Sequence, residues 1–592
     1  MSSENEPRIG KSPLSEPVQA SGLAPSPADH AASHPVGGAN VAARLAQQAL
    51  RQPNQLAIAS PLGKYRPGKT REYRQLTFAQ LELHTSSLAA GLQQIGIQPG
   101  MRIVLAVRFG IDFISLVFAL LKVGAVVVLV DPGMGRRNVF TCLEQVQADG
   151  FVALPLVQAV RMLMSSRFPK ATANVTVGHR LGILPRPTLS QLERTPSALY
   201  EPPAVDMDSP AAIIFTTGST GPPKGVLYTH RTFNNQIDQL VAHYNIRPGG
   251  KDLSGFPLFG LFNAVMGTTT IIPDMDPTRP ADVDPPRLLD AIDQWQINQA
   301  FGSPALWTAV GRYCVEHGRR MPSLQRVMSA GAPVSPAVLE SMRTAIDACG
   351  HMFTPYGATE ALPIASIESR EVLEETAAKT RQGAGTCVGG RFQGIQWRVI
   401  PIDDRAIATI DATSSLPVGQ IGELMVSGDV VTQYYVTRTD QNALHKVRDG
   451  ERIWHRMGDV GYLDDQDRFW YCGRKSQRVQ TSTGTLFTEP CEAIFNTHPH
   501  VYRSALVGIG QPGVQTPVII IEPWPEHRPR DSTALHQLLT ELAELGRRHP
   551  VTADIERILI HSGRLPTDIR HNSKIFREQL VPWAAQQLGV RQ

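Results

Sequence analysis

Between about Asn40 and Tyr471, runs with a helical spacing of apolar positions alternate with short, strongly apolar runs. The stretch "RQLTFAQLELHTSSLAAGLQQIG" (74–96) repeats its apolar residues at three- and four-residue steps, as a helix with one buried face does. By contrast, "RIVLAV" (102–107), "AAIIFT" (211–216) and "RVMSAG" (326–331) have the length and composition of buried strands. Such alternation predicts an α/β fold of layered sheets and helices. One run, "FISLVFALLKVGAVVVLV" (113–130), has the length of a membrane span. Lys122 and Gly124 interrupt it and "AVVVLV" is β-branched, so a helix, a turn and a buried strand are expected.

After "YCGRK" the pattern changes. "SALVGIG" (504–510) and "PVIIIEPW" (517–524) read as strands, and "STALHQLLTELAELGRRH" (532–549) reads as an amphipathic helix with a basic last turn. The expected organisation is a disordered arm over 1–39, a large domain over 40–472, a short polar hinge over 473–478 and a small α+β domain over 479–592. The arm is rich in Ser, Pro and Ala and lacks the apolar core of a secretory signal. No internal repeat is apparent.

Composition narrows the class only a little. Fifty-seven basic against 53 acidic side chains leave a formal charge of +4, without a long basic block, so nucleic acid is not suggested, whereas weak attraction to anionic surfaces is allowed. The six cysteines are scattered with no C-x-x-C pair, which fits reduced thiols in a cytosolic enzyme and indicates neither a disulfide framework nor a zinc site.

The candidate chemistry starts with "FTTGSTGPPKGV" (215–226), in which three glycines, four hydroxyl side chains and Lys224 follow an apolar run that ends like a strand. Free backbone N–H groups and a mobile cation suit a phosphate. It is not a Walker A loop, because Pro223 and Gly225 flank the lysine. Three further stretches follow in order: "SAGAPVS" (329–335), "TPYGATE" (354–360) and "HRMGDVGYLDDQDRFWYCGRK" (455–475).

With these four motifs the sequence resembles the adenylate-forming superfamily of acyl-CoA synthetases, luciferases and peptide-synthetase adenylation domains, from Asn40 nearly to the end. The resemblance implies a large N-terminal domain, a small mobile C-terminal domain and an active site in the cleft between them, with ATP and Mg²⁺ as cofactors. Thr216, Thr217, Gly218, Ser219, Thr220, Gly221 and Lys224 would close on the β- and γ-phosphates. Tyr356, with Gly357 beside it, would stack on adenine; Gly331 and Ala332 would border the nucleotide; Thr359 would lie near the α-phosphate and Glu360 would hold Mg²⁺. Asp459 would bind the ribose hydroxyls, Arg474 would approach the ribose from the far side, and Asp464 reads as a turn residue. Lys574 in "PTDIRHNSKIFREQL" matches the family's terminal lysine, which reaches the carboxylate and α-phosphate during adenylation.

Within the superfamily the chain departs from the CoA-using pattern. "FPLFGLFN" has Gly260 where many relatives place a histidine, which predicts extra space in the acyl wall, and Gln480 stands where a lysine is common after the hinge. "PTDIRHNSKI", "HPHVYRSALVG", "SGDVVTQYY" and "FPLFGLFNAVMG" look most like the olefin β-lactone synthetases of bacterial long-chain hydrocarbon biosynthesis. That resemblance implies adenylation of a long-chain 2-alkyl-3-hydroxy acid and closure of a β-lactone by its own 3-hydroxyl, with no CoA. It also implies shared work with a decarboxylase and a reductase in the cytoplasm. Phe259, Gly260, Gly302 and Ser303 are the expected acyl-pocket residues, and His230 is a candidate for the base or a structural histidine. Two other readings stand beside this one. The first is a long-chain acyl-CoA synthetase, and the second is a non-catalytic scaffold that binds adenylate or acyl chains.

Overall fold

The computed structural model describes residues 39–179, 182–216, 222–567 and 575–590. The expected arm, Thr217, Gly218, Ser219, Thr220, Gly221 and Lys574 lie outside the described residues, as does the side chain of Thr216. The α/β expectation is borne out. Among the described residues the largest sheet has fourteen strands, and one half of it is a parallel run: Leu56–Pro61, Thr269–Ile271, Lys251–Ser254, Gln299–Gly302, Arg326–Ser329 and His351–Ala358. From His351–Ala358 onward the sheet turns antiparallel through Ala361–Glu368, Thr386–Arg391, Arg468–Arg474 and Arg452–Leu463 to Gly422–Ser427.

A second, six-stranded sheet runs from Ala173–Thr176 to Pro210–Thr216 in parallel and ends on the antiparallel strand Lys224–Thr229. Residues 501–560 supply a three-stranded sheet, Val501–Ile509, Thr516–Pro523 and Arg557–Ile560, beside the helix Ser532–Arg547. Ligands of parallel α/β sheets collect beyond the carboxyl ends of the strands. Here those ends are Gly302, Ser329 and the Tyr356 region, with Thr216 at the end of its strand in the second sheet.

The apolar run 113–130 divides as expected into the helix Ile111–Lys122 and the strand Val126–Leu129, with Gly124 between them at φ +71°. The helix is apolar all round because it is buried along almost its whole length. Lys122 survives there because its ammonium meets the Glu82 carboxylate at 2.5 Å and Ser86 Oγ at 2.8 Å. Among the described residues no helix is long and apolar enough to cross a membrane.

Two boundaries differ from the sequence reading. The helix expected from Arg74 begins only at Phe78, because Tyr73–Thr77 pairs as an antiparallel edge strand with Leu56–Pro61. Thr77 caps the helix: its Oγ1 accepts the Gln80 N–H at 3.2 Å, and Gln80 Oε1 accepts the Thr77 N–H at 2.9 Å. At the other end, Gly473 and Arg474 pair with Val460 and Asp459, so the turn after this strand begins at Lys475 and covers Lys475–Gln477.

Candidate active site

A single cleft of about 3730 Å³ lies against the strand ends, and Lys224, Gly331, Ala332, Tyr356, Gly357, Thr359, Glu360 and Arg474 all line it. The structure therefore brings together motifs separated by up to 250 positions. Lys224 opens its strand directly opposite Thr216, so the glycine-rich loop joins two paired strands. Gly331, at φ +98°, turns the chain into the cleft after Ser329, a backbone geometry that favours glycine.

Two clusters organise the polar wall. In the first, Asp459 is 3% exposed and lies between Tyr356, whose hydroxyl donates to Oδ2 at 2.5 Å, and Arg474, 2.9 Å from Oδ1. Strand register explains the second contact, because Asp459 and Arg474 face each other across one antiparallel ladder. Burial pushes the Asp459 carboxyl upward, and Arg474 opposes the shift.

The second cluster surrounds Lys224 and Glu360. The Lys224 ammonium lies 4.6 Å from the centre of the Tyr435 ring and 3.4 Å from His445 Nε2. Tyr435 donates its hydroxyl to Glu360 Oε1 at 2.8 Å, and the Glu360 carbonyl accepts from Thr432 N and Oγ1, both at 2.9 Å. Lys446 donates to the Thr432 carbonyl and lies 5.6 Å from the same tyrosine ring. Burial, aided by Lys224, pushes the His445 imidazole down to about 4, so its ring is neutral near pH 7 and can accept from Lys224. Burial takes Lys446 down to about 7. The Glu360 carboxylate favours the charged form of both Lys224 and Lys446 against their burial, and an added anion would act in the same direction.

Tyr435, His445, Lys446 and Thr432 were not singled out in the sequence. "SGDVVTQYY" and the following "RTDQNALHK" hold them, but no regular spacing marks them and only folding brings them under Glu360. Asp464 is a turn residue, as expected, accepting from Gln466 N at 3.0 Å and Arg468 N at 2.9 Å. His230 is fully buried; its Nδ1 accepts the Val41 N–H at 3.2 Å, which supports the structural reading over the base. Thr359 adds its carbonyl, which accepts from the Tyr228 hydroxyl at 2.5 Å.

The acyl-pocket residues lie together but not as open space. A methyl group at Gly260 would come within 3.0 Å of the Phe109 ring, so the room that glycine leaves is filled by phenylalanine. At Gly302 it would come within 3.0 Å of the Trp307 indole. These glycines admit aromatic rings into the wall, correcting the expectation of a widened pocket. Phe259 stacks on Phe301 at 4.4 Å, and Ser303 caps the helix Pro304–His317 by accepting Leu306 N at 3.3 Å while lining the cleft. Gly260→Ala is expected to press Phe109 into the cleft and lower kcat/KM about 5- to 10-fold for long-chain acids, and less for short ones. Equal loss at all chain lengths would contradict this.

The helix Pro257–Met266 that carries Phe259 and Gly260 is tied to the sheet through buried Asp252, whose Oδ2 accepts from Ser254 Oγ at 2.6 Å and Asn263 Nδ2 at 2.7 Å. Burial pushes this carboxyl from an ordinary 3.8 up to about 6. A raised folded-state value means that stability is full below pH 3.8 and is lost as pH rises through 6, by up to about 3 kcal/mol. Asp252→Asn should therefore gain in Tm relative to the parent between pH 4 and pH 7. Parallel Tm curves would refute the assignment.

Residues 45–436 match the family described as AMP-binding enzyme. The olefin beta-lactone synthetase of Xanthomonas campestris pv. campestris is 45% identical over 93% of this chain and 98% of its own length. That of Stenotrophomonas maltophilia is 45% identical over 93% and 99%. The ATP-bound structure of MatB from Rhodopseudomonas palustris superposes with a TM-score of 0.72 over 92% of this chain and 99% of that one, at 19% identity, a likeness of fold. The chain belongs to the family of AMP-binding enzymes, the ATP-using ligases that form AMP.

Proposed function

We propose that the protein converts a long-chain 2-alkyl-3-hydroxyalkanoic acid to a β-lactone through an acyl-adenylate, releasing pyrophosphate and AMP. The observation that carries this reading is the 45% identity to two olefin beta-lactone synthetases along 93% of the chain, with Lys224, Glu360 and Arg474 lining one cleft and Asp459 paired with Arg474 behind it. The substrate carboxylate attacks the α-phosphorus and pyrophosphate departs. The 3-hydroxyl oxygen then attacks the activated carbonyl, its proton is lost and AMP leaves.

Attack within one molecule needs no second bound substrate, and oriented intramolecular reactions reach effective molarities on the order of 10⁵ M. Lys224 and the glycine-rich loop hold the β- and γ-phosphates, Tyr356 and Asp459 hold the nucleoside, and Lys574 reaches the carboxylate and α-phosphate. Residues 479–592 act as the lid, turning about the segment that follows Arg474.

Mg²⁺ fits the donor set. Glu360 offers one carboxylate on the cleft wall that Lys224 also lines, and Mg²⁺ is commonly held by one or two carboxylates plus substrate phosphates. Glu360 would hold it, and its charge would offset that of the phosphates. The apolar part of the cleft, with Phe113, Val117, Leu240 and Val265, would receive the alkyl chains. The reaction would take place in the cytoplasm, alongside a lactone decarboxylase and a ketone reductase.

The test is incubation with ATP, Mg²⁺ and a racemic 2-alkyl-3-hydroxy acid, with and without CoA, followed by proton NMR. A β-lactone formed without CoA supports the proposal. Formation of an acyl-CoA only when CoA is present would replace it with an ordinary acyl-CoA ligase.

A further inference from the structure

The helix Pro155–Leu163 presents its polarity in an unusual direction. Its polar residue Gln158 is fully buried and donates through Nε2 to the carbonyls of Phe151 and Val175, both at 2.9 Å. Leu156, Val160 and Leu163, spaced i, i+4 and i+7, share the opposite side, where Leu156 is 76% and Leu163 87% exposed. A surface helix of a globular protein normally turns such a stripe inward. Here the apolar stripe faces outward.

One helical step away, the same helix borders the cleft. Leu154 and Val157 line it, together with Val139 and Leu143 of the helix Arg136–Val146. The surroundings are basic: residues 131–170 hold five Lys or Arg against three Asp or Glu. Arg136 and Arg137 are exposed in the first turn of the second helix and Lys170 is exposed just after the first, whereas Arg161 donates to Gln158 Oε1 at 2.9 Å and Arg167 pairs with Glu144. Of the three acids, Glu144 is paired with Arg167, Asp131 accepts the Gly133 N–H at 2.9 Å and Asp149 accepts the Arg102 N–H at 2.8 Å.

Apolar side chains flanked by cations, without a spanning helix among the described residues, match the chemistry of an interfacial helix on an anionic bilayer. We propose that Pro155–Leu163 and the basic first turn of Arg136–Val146 dock the protein on a membrane leaflet with anionic headgroups, at the entrance through which a water-insoluble acid reaches the cleft. The delivery role rests on the function proposed above; the docking does not. Leu156 and Leu163 insert among the acyl chains, and Arg136, Arg137 and Lys170 meet the headgroups.

The experiment is co-sedimentation of the full chain with phosphatidylcholine vesicles, with or without phosphatidylglycerol, in the absence of substrate. Binding at least about tenfold stronger to the anionic vesicles, and weakened by salt, is expected. The double variant Leu156→Glu/Leu163→Glu should lose about tenfold in vesicle binding while keeping ATP-dependent AMP release on a short, soluble 3-hydroxy acid. Leu50→Glu, at an equally exposed leucine on another helix, should bind like the parent.

No vesicle binding by the parent, or equal binding by parent and double variant, overturns the proposal. So does equal loss in Leu50→Glu. A dimer in sedimentation velocity that the double variant abolishes would show that a second copy covers the stripe, and would also overturn it. Vesicle binding without β-lactone formation would instead uphold docking and remove the proposed function.

Discussion

Asp459→Ala is expected to lower kcat/KM for ATP by about 100- to 1000-fold, measured as pyrophosphate release with saturating acid. The carboxylate lies between the Tyr356 hydroxyl and the Arg474 guanidinium, and Arg474 holds a second bond, to the Met457 carbonyl at 3.2 Å. Removing the carboxylate leaves a buried hydroxyl and a cation without their shared anion and removes the acceptor proposed for the ribose. Hydrogen bonds to charged groups contribute about 1.5–3 kcal/mol each, so two lost together reach the stated range. Asp459→Asn keeps the shape and loses the charge, and should fall between Ala and the parent. An Ala variant within threefold of the parent would remove Asp459 from the nucleotide site.

The largest expected effect on stability is at Arg456, which is not a site residue. Arg456 and Glu423 form an ion pair at 2.5 Å with side-chain exposures of 1% and 0%. The guanidinium also donates to the carbonyls of Arg405 at 2.7 Å, Leu444 at 3.3 Å and Asp403. Glu423 has a second partner in Lys475, whose ammonium lies 3.1 Å away in the first turn after Arg474.

Arg456→Met should therefore destabilise the fold by about 3–5 kcal/mol in urea unfolding, because a buried carboxylate loses its main partner. Adding Glu423→Leu should recover part of the loss, since replacing both charges with apolar groups removes the stranded one. A double variant as unstable as the sum of the two single changes would mean that the pair acts through packing instead.

Much of this architecture is legible in the chain. The division of 113–130 into helix and strand follows from Gly124 and the β-branched "AVVVLV", and both elements form where the pattern puts them. The start of the helix at Phe78 was obscured because Tyr73 and Leu76 keep the helical spacing of the residues that follow, and only pairing with Leu56–Pro61 makes Tyr73–Thr77 a strand. At the candidate site, Lys224, Tyr356, Glu360, Asp459 and Arg474 are readable because they sit in the short local motifs that carry the family resemblance. Tyr435, His445 and Lys446 are not, since their role is to surround Lys224 and Glu360 from a distant segment. Gly260 shows the same limit from the other side, because a missing side chain says nothing about which neighbour fills its place, and here that neighbour is Phe109, some 150 positions earlier.

Local periodicity, which acts over a few residues, marks the α/β alternation in the chain itself, and the four short motifs carry the resemblance to adenylate-forming enzymes. The wall of the acyl cleft, the ring beneath Lys224 and the outward-facing stripe of Leu156 and Leu163 come from contacts between residues far apart in sequence. Such contacts depend on how layers pack and which strand ends meet, and no local pattern of apolar and polar residues encodes them.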